Sequence, residues 1–186
     1  KLCIINMEII EPHIKGLLVL KPKIYKDNRG YFLETWNQES FKNIGIDVNF
    51  SQDNQSLSKK GVVRGLHFQN PPYAQGKLVR VIKGEVLDVA LDIRKNSITY
   101  GKYFSIKLSG ENHVMFWIPP GFAHGFSTLK DDTIFSYKCT NPYNQKSENS
   151  ISCMDPELAI DWKIKKPIIS QKDQQAQFFS NFISKF

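Results

Sequence analysis

Short runs with strand character follow one another at 48–58, 62–69, 77–83, 85–93, 101–109, 113–118, 122–129 and 133–140. Turn residues break them at Lys60-Gly61, Gly84, Asn96, Gly110, Pro119-Pro120-Gly121 and Lys130-Asp131-Asp132. Strands this short and this closely spaced argue for an antiparallel sandwich or barrel and against a βαβ arrangement. In 86–93, Leu87, Val89, Leu91 and Ile93 make one apolar face opposite Asp88, Ala90 and Asp92; in 103–109, Phe104, Ile106 and Leu108 oppose Tyr103, Ser105, Lys107 and Ser109. Because side chains alternate across a strand, each is expected to keep one dry face and one polar face. For a single strand the polar face belongs in solvent. When it includes Gln52, Asn54, Arg64 and Tyr137 as well as acids, a barrel or jelly roll with a functional interior is an equal reading.

Before these runs, Leu17-Leu18-Val19-Leu20 leads through Pro22 to Ile24-Tyr25, and Asp27-Asn28-Arg29-Gly30 supplies turn chemistry ahead of Tyr31-Phe32-Leu33-Glu34-Thr35-Trp36, an opening hairpin. Asn37 caps a short helix through Glu39, Phe41 and Ile44 that Gly45 ends. After Asp155-Pro156 the pattern loosens, and 173–186 reads as a terminal helix with an apolar stripe of Ala176, Phe178, Phe179, Phe182, Ile183 and Phe186. The expected fold is all-β, an antiparallel jelly-roll barrel with short peripheral helices and a C-terminal helix. At 186 residues and 41% hydrophobic, the chain fills one sizeable core and is short for two, so residues 1–186 are expected to be a single domain with its core at about 17–175.

Lys and Arg outnumber Asp and Glu by 25 to 18, a net charge of +7 that suits a polyanionic partner. The excess is dispersed, without a basic tail or a recognisable nucleic-acid motif, which favours a small phosphorylated ligand over nucleic acid. Cys3, Cys139 and Cys153 are odd in number and show no CxxC spacing, so they are expected to be reduced thiols in a cytoplasmic protein. No apolar run approaches ~18 residues and no cleavage site follows 1–11, so neither membrane spanning nor secretion is expected.

The stretch 62–84 places cations where a strand should carry Val or Ile: Arg64, His67, Lys77 and Arg80 fall within one hairpin. Arg64 and His67 would face opposite ways in a regular strand, and Gly65 between them is where a bulge turns both inward. Such a group makes a poor core and a good anion pocket, with a solvated basic hairpin as the alternative.

The segment Trp117-Ile118-Pro119-Pro120-Gly121-Phe122-Ala123-His124-Gly125-Phe126 has a Pro-x-Gly-x-x-His spacing that resembles the second motif of cupin barrels. In metal-binding cupins that His joins a His-x-His pair and a carboxylate. Here the matching hairpin reads His67-Phe68-Gln69, and Lys77 stands where a ligand carboxylate would be sought. A protonated amine repels a divalent cation, so no metal is expected. A fixed cation instead stabilises negative charge developing on oxygen, and beside a neutral imidazole it equips a site to remove a hydrogen next to a carbonyl.

Gln52-Asp53-Asn54, Gly61-Val62-Val63-Arg64-Gly65-Leu66-His67-Phe68-Gln69, Gln75-Gly76-Lys77-Leu78-Val79-Arg80, Asp88-Val89-Ala90-Leu91-Asp92-Ile93-Arg94, the Pro-Pro-Gly segment and Tyr137-Lys138 together resemble, in collinear order, the dTDP-4-dehydrorhamnose 3,5-epimerase (RmlC-like) family. The resemblance implies a homodimeric, cupin-type, cofactor-independent isomerase acting on a nucleoside-diphosphate 4-keto-6-deoxy sugar, for L-sugar and surface polysaccharide biosynthesis. It implies His67 as general base, Asp173 as the carboxylate that orients it, Tyr137 as the acid on the opposite face of the sugar, and Lys77 as the cation near the C4 oxygen. Arg29, Glu34, Gln52, Asn54, Arg64, His124, Glu148 and Lys172 match positions that contact nucleotide, diphosphate or sugar. Without the resemblance, Tyr137 reads as a core aromatic, Asp173 as a helix N-cap, and Gln52 and Asn54 as the polar face of an exposed strand. Competing functions are a GDP-linked 4-keto heptose 3,5-epimerase, a C3-only or C5-only epimerase, a metal-dependent cupin and a non-catalytic sugar-binding cupin.

Overall fold

The computed structural model describes residues 7–186. Its elements are β1 (Met7–Ile10), β2 (Leu18–Pro22), β3 (Tyr25–Asp27), β4 (Gly30–Phe32), α1 (Gln38–Asn43), β5 (Gln52–Ser58), β6 (Val63–Gln69), β7 (Lys77–Lys83), β8 (Glu85–Asp92), β9 (Tyr103–Ser109), β10 (Met115–Ile118), β11 (Phe122–Thr128), β12 (Thr133–Cys139), β13 (Glu148–Ser150), α2 (Gln171–Gln174) and a 3₁₀ turn at Phe179–Asn181. All strand pairs in the sheets are antiparallel. One sheet has the order β1-β2-β10-β7-β12-β5 and the facing one β13-β6-β11-β8-β9, with β3-β4 a separate hairpin. The expected all-β jelly roll is what forms. The thiol expected at Cys3 lies outside the described residues; Cys139 and Cys153 are free and buried. No helix among the described residues is long and apolar enough to cross a membrane.

Three apolar layers stack through the molecule. Between the sheets lie Val79, Val81, Val86, Ala90, Leu108, Phe116, Phe122, Phe126 and Phe135. The outer face of the six-stranded sheet carries Leu20, Leu78, Met115 and Trp117 under Phe41 and Ile46, which α1 and its exit supply. Asn37 Oδ1 accepts the Ser40 amide to cap α1, and Gly45 ends it at φ +87°. The outer face of the five-stranded sheet carries Val63, Leu66, Phe68, Val89, Leu91 and Ile93 under Leu158, Trp162 and Phe182.

That third layer corrects two expectations. The polar face expected opposite Val89, Leu91 and Ile93 is not wet: those three point outward and are dried by the C-terminal segment, while Val86, Asp88 and Ala90 point between the sheets and are buried too. Both faces of β8 are buried, so an alternating pattern separates two dry environments instead of dry from wet. The second correction concerns 173–186, where the helix is confined to Gln171–Gln174 and the chain then runs mostly extended. Gln177 bridges Ile151, Ser152 N–H donates to the Gln177 carbonyl at 2.8 Å, and Ser184 Oγ donates to the Ile93 carbonyl. Extended chain spreads Phe179, Phe182 and Phe186 along the sheet, whereas a helix would gather them on one stripe.

Candidate active site

Gly65 sets up the site. At φ +135° it occupies backbone that a side chain rarely adopts, and the β6–β11 register shifts opposite it, between His124 paired with His67 and Phe126 paired with Arg64. Val63 and Leu66 therefore share the outer face, and Arg64 and His67 both line the deeper cleft, His67 half-buried and Arg64 still exposed. A Cβ at Gly65 would stand 2.5 Å from Gly125 Cα, so the two backbones approach too closely for any side chain.

Asn54, His67, Lys77 and Tyr137 line two adjoining clefts of about 260 and 110 Å³ at one end of the barrel. The deeper adds Ser56, Arg64, His124, Phe126 and Phe135; the shallower adds Gln52, Gln69, Tyr143 and Glu148. On β5 the inward positions Gln52, Asn54 and Ser58 follow the two-residue period, and Ser58 Oγ accepts Arg64 Nε at 3.2 Å. Gln52 and Asn54 are half-buried where they line the cleft, and Tyr137 packs against the inter-sheet core while also lining both clefts.

His67 Nε2–H donates to Asp173 Oδ1 at 2.6 Å, leaving the ring's lone pair on Nδ1. Asp173 is not the N-cap of its helix: Ser170 Oγ caps α2 by accepting the Asp173 amide, and the carboxylate is free to reach β6. The segment before α2 is pinned beside β6, Ile168 N–H donating to the Gly61 carbonyl and Val63 N–H to that of Ile168. Burial raises the Asp173 carboxyl, but the His67 hydrogen bond and charge, with the Gly65 amide and Ser170, hold it below its ordinary value.

Lys77, 8% exposed, points its ammonium into both clefts and donates to the His67 carbonyl at 3.3 Å. Burial lowers its pKa, with Cys139 and Asp88 opposing. Tyr137, on the opposite sheet from His67, is pushed up by burial and stays a phenol at neutral pH. Glu148 forms a 2.6 Å ion pair with Lys172 and accepts from Tyr143 Oη at 2.9 Å at the cleft mouth.

Two expected contact residues stand elsewhere. Arg29 sits in the β3–β4 turn, forked onto Asp27 at 2.6 Å, and Glu34 accepts from Asn37 Nδ2 and lines a separate cleft beside Tyr25 and Phe32. The exposed hairpin carries Arg29 and leads into Glu34, and neither lines the clefts of its own chain. Conversely, the sequence did not single out Asp88 as a partner: it is fully buried, and His124 Nε2–H donates to both its oxygens at 3.0 and 2.9 Å. Only the β8–β11 pairing makes them neighbours. Burial lowers the His124 pKa, keeping the imidazole neutral. Among the described residues no three His, Cys, Asp or Glu side chains converge as a metal-ligand set.

Comparison with known proteins agrees with this geometry. A family model described as dTDP-4-dehydrorhamnose 3,5-epimerase matches residues 11–181. The epimerases of that name from Shigella flexneri and Methanothermobacter thermautotrophicus are 48% and 49% identical, over 93% and 91% of this chain and 96% and 92% of theirs. The crystal structure of the Legionella pneumophila epimerase, in complex with dTDP-4-keto-L-rhamnose, superposes with a TM-score of 0.92 at 47% identity, covering 95% of each chain. Fold, cleft and sequence converge: the chain belongs to the dTDP-4-dehydrorhamnose 3,5-epimerase family.

Proposed function

We propose that this chain inverts C3 and C5 of dTDP-4-dehydro-6-deoxyglucose, using its own side chains for each proton transfer. The observation that carries the reading is the position of His67 and Tyr137 on facing sheets across one cleft, with Lys77 buried beside them. The C4 ketone acidifies the hydrogens on both neighbouring carbons. His67 Nδ1 takes a proton from one face, and the Asp173 carboxylate stabilises the imidazolium that results. Negative charge moves onto the C4 oxygen, where the Lys77 ammonium receives it. Tyr137 delivers a proton to the carbon from the other face, inverting it, and the same set serves the second carbon in turn. Gln52, Asn54, Arg64, His124, Glu148 and Lys172 hold the sugar and its diphosphate.

We further propose a homodimer, supported by the hairpin. Arg29 and Glu34 match substrate-contact positions yet lie outside their own clefts, and Phe32 beside them is 69% exposed. A partner's hairpin closing over the cleft reconciles the two. The free, buried Cys139 and Cys153 support a reducing compartment, the cytoplasm.

Proton NMR in deuterium oxide tests the reaction, with chelator-treated protein and dTDP- and GDP-linked 4-keto-6-deoxy sugars in parallel. Deuterium at C3 and C5 of the dTDP sugar, with inversion at both, is the expected result. Label at C3 alone makes the protein a single-centre epimerase, and no exchange with either sugar overturns the reading.

A further inference from the structure

We propose that the hydroxyl of Ser56 holds the C2 hydroxyl of the bound sugar and so fixes how deep the ring sits between His67 and Tyr137. This rests on the reading of the cleft as that of a 3,5-epimerase of a 4-keto hexose.

Strand β5 turns four polar side chains inward, Gln52, Asn54, Ser56 and Ser58. Three of them are engaged by the fold. Gln52 Nε2 donates to Asn54 Oδ1 at 3.0 Å and its Oε1 accepts the Tyr143 amide; Asn54 Nδ2 donates to Cys139 Sγ at 3.7 Å; Ser58 Oγ accepts Arg64 Nε at 3.2 Å. Ser56 Oγ is buried and has no hydrogen-bond partner among the described residues, although Ser56 lines the deeper cleft. A buried hydroxyl without a partner costs free energy, so the fold alone gives no reason for one here. No bond anchors its χ1, so turning Oγ toward the cleft gives up nothing and lets the hydroxyl both donate and accept.

Register fixes where that hydroxyl stands. Ser56 pairs with Phe135 and Asn54 with Tyr137, and residues directly opposite on an antiparallel pair share a face. Ser56 therefore lies on the Tyr137 side of the cleft. It is farther from the mouth than Asn54, which lines the shallower cleft as well.

The chemistry of the sugar picks the group it meets. Lys77 serves the C4 oxygen, the diphosphate calls for cations, and the C6 methyl makes no hydrogen bond. The C3 hydroxyl and the ring oxygen are bonded to carbons that invert, so neither keeps its direction through turnover. The C2 hydroxyl does. One fixed bond to it can anchor the ring while each neighbour of the ketone in turn is presented to His67 and Tyr137.

The test crosses one substitution with one change of substrate. kcat/KM is measured for wild type and Ser56→Ala, each with dTDP-4-dehydro-6-deoxyglucose and with its 2-deoxy analogue. Losing either partner of a neutral hydrogen bond is expected to cost about tenfold. Losing both is expected to cost no more than losing one, so Ser56→Ala should treat the two sugars alike. Losses that multiply to about a hundredfold, or a variant as active as wild type on the 2-hydroxy sugar, overturn the proposal. Removing an unpartnered hydroxyl is also expected to leave Tm as high as that of wild type or higher. A lower Tm would place Oγ in a bond of the fold and overturn the proposal. Wild-type turnover is scored first by deuterium exchange: its absence sinks the epimerase reading, and its presence with independent losses sinks this inference alone.

Discussion

Asp173 Oδ1 lies 2.6 Å from His67 Nε2 across 106 positions of sequence. Replacing the carboxylate with an amide of the same shape removes the negative charge and offers an N–H donor that can hold the imidazole in the opposite tautomer. Asp173→Asn is therefore expected to lower kcat by about 10²-fold or more, with a much smaller change in KM. Steady-state kinetics checks it. An unchanged kcat would mean that the carboxylate serves the fold and not the base.

On the proposed mechanism, His67 and Tyr137 answer for separate halves of each inversion. His67→Ala is expected to abolish solvent exchange at C3 and C5 alike, since one imidazole serves both carbons. Tyr137→Phe is expected to retain exchange while losing inversion, because abstraction survives and delivery from the far face does not. Deuterium NMR of recovered substrate and product separates the two. Exchange persisting at one carbon in His67→Ala would require a second base.

Gly65→Ala is expected to destabilise the protein by about 3 kcal/mol, the sum of backbone strain and a Cβ driven against Gly125. Urea unfolding measures this. Activity is expected to fall further than the lost stability explains, because relieving the clash pushes Arg64 and His67 out of their shared direction.

Acid stability is expected to depend on Asp92. Burial pushes this carboxyl up, but Arg94, Ser97 and Thr99 side chains and the Arg94 amide together hold it below its ordinary value. A depressed native pKa gives stability that is present in full above the unfolded value, near 4, and is lost as pH falls through the native one. Asp92→Asn should lower Tm at pH 7 and flatten the fall of Tm as pH drops below about 4. A parallel displacement of the whole curve would show that the carboxylate's charge is not involved.

Arg29→Ala and His67→Ala are each expected to inactivate a homodimer. If a partner's hairpin completes the cleft, mixed dimers contain one site with both defects and one intact site. Equal mixing after unfolding and refolding should then recover about a quarter of wild-type activity. No recovery would place Arg29 in its own chain's site.

Much of this was readable before any coordinates. Strand positions followed from turn residues, the α1 cap from Asn37 and Gly45, and the shared direction of Arg64 and His67 from the glycine between them. What escaped depended on strand pairing or on which surface covers which. Nothing local ties Asp88 to His124, and the burial of both faces of 86–93 is hidden because a period of two reports alternation and not what covers each side. The aromatic residues at 178–186 mimic a helical stripe because a strand and a helix both need a dry side. Arg29 and Glu34 match substrate positions, and their distance from the cleft is a property of the hairpin's course, invisible in a linear chain.

The segment that dries the outer face of the five-stranded sheet also carries Asp173, after most of the barrel strands have already been laid down. A ribosome therefore releases His67, Tyr137 and Lys77 before it releases the carboxylate that His67 binds. A message cut short after β13 would lack Leu158, Trp162 and Phe182 together with Asp173, so one truncation would leave the sheet's outer face wet and the His67 ring without its partner.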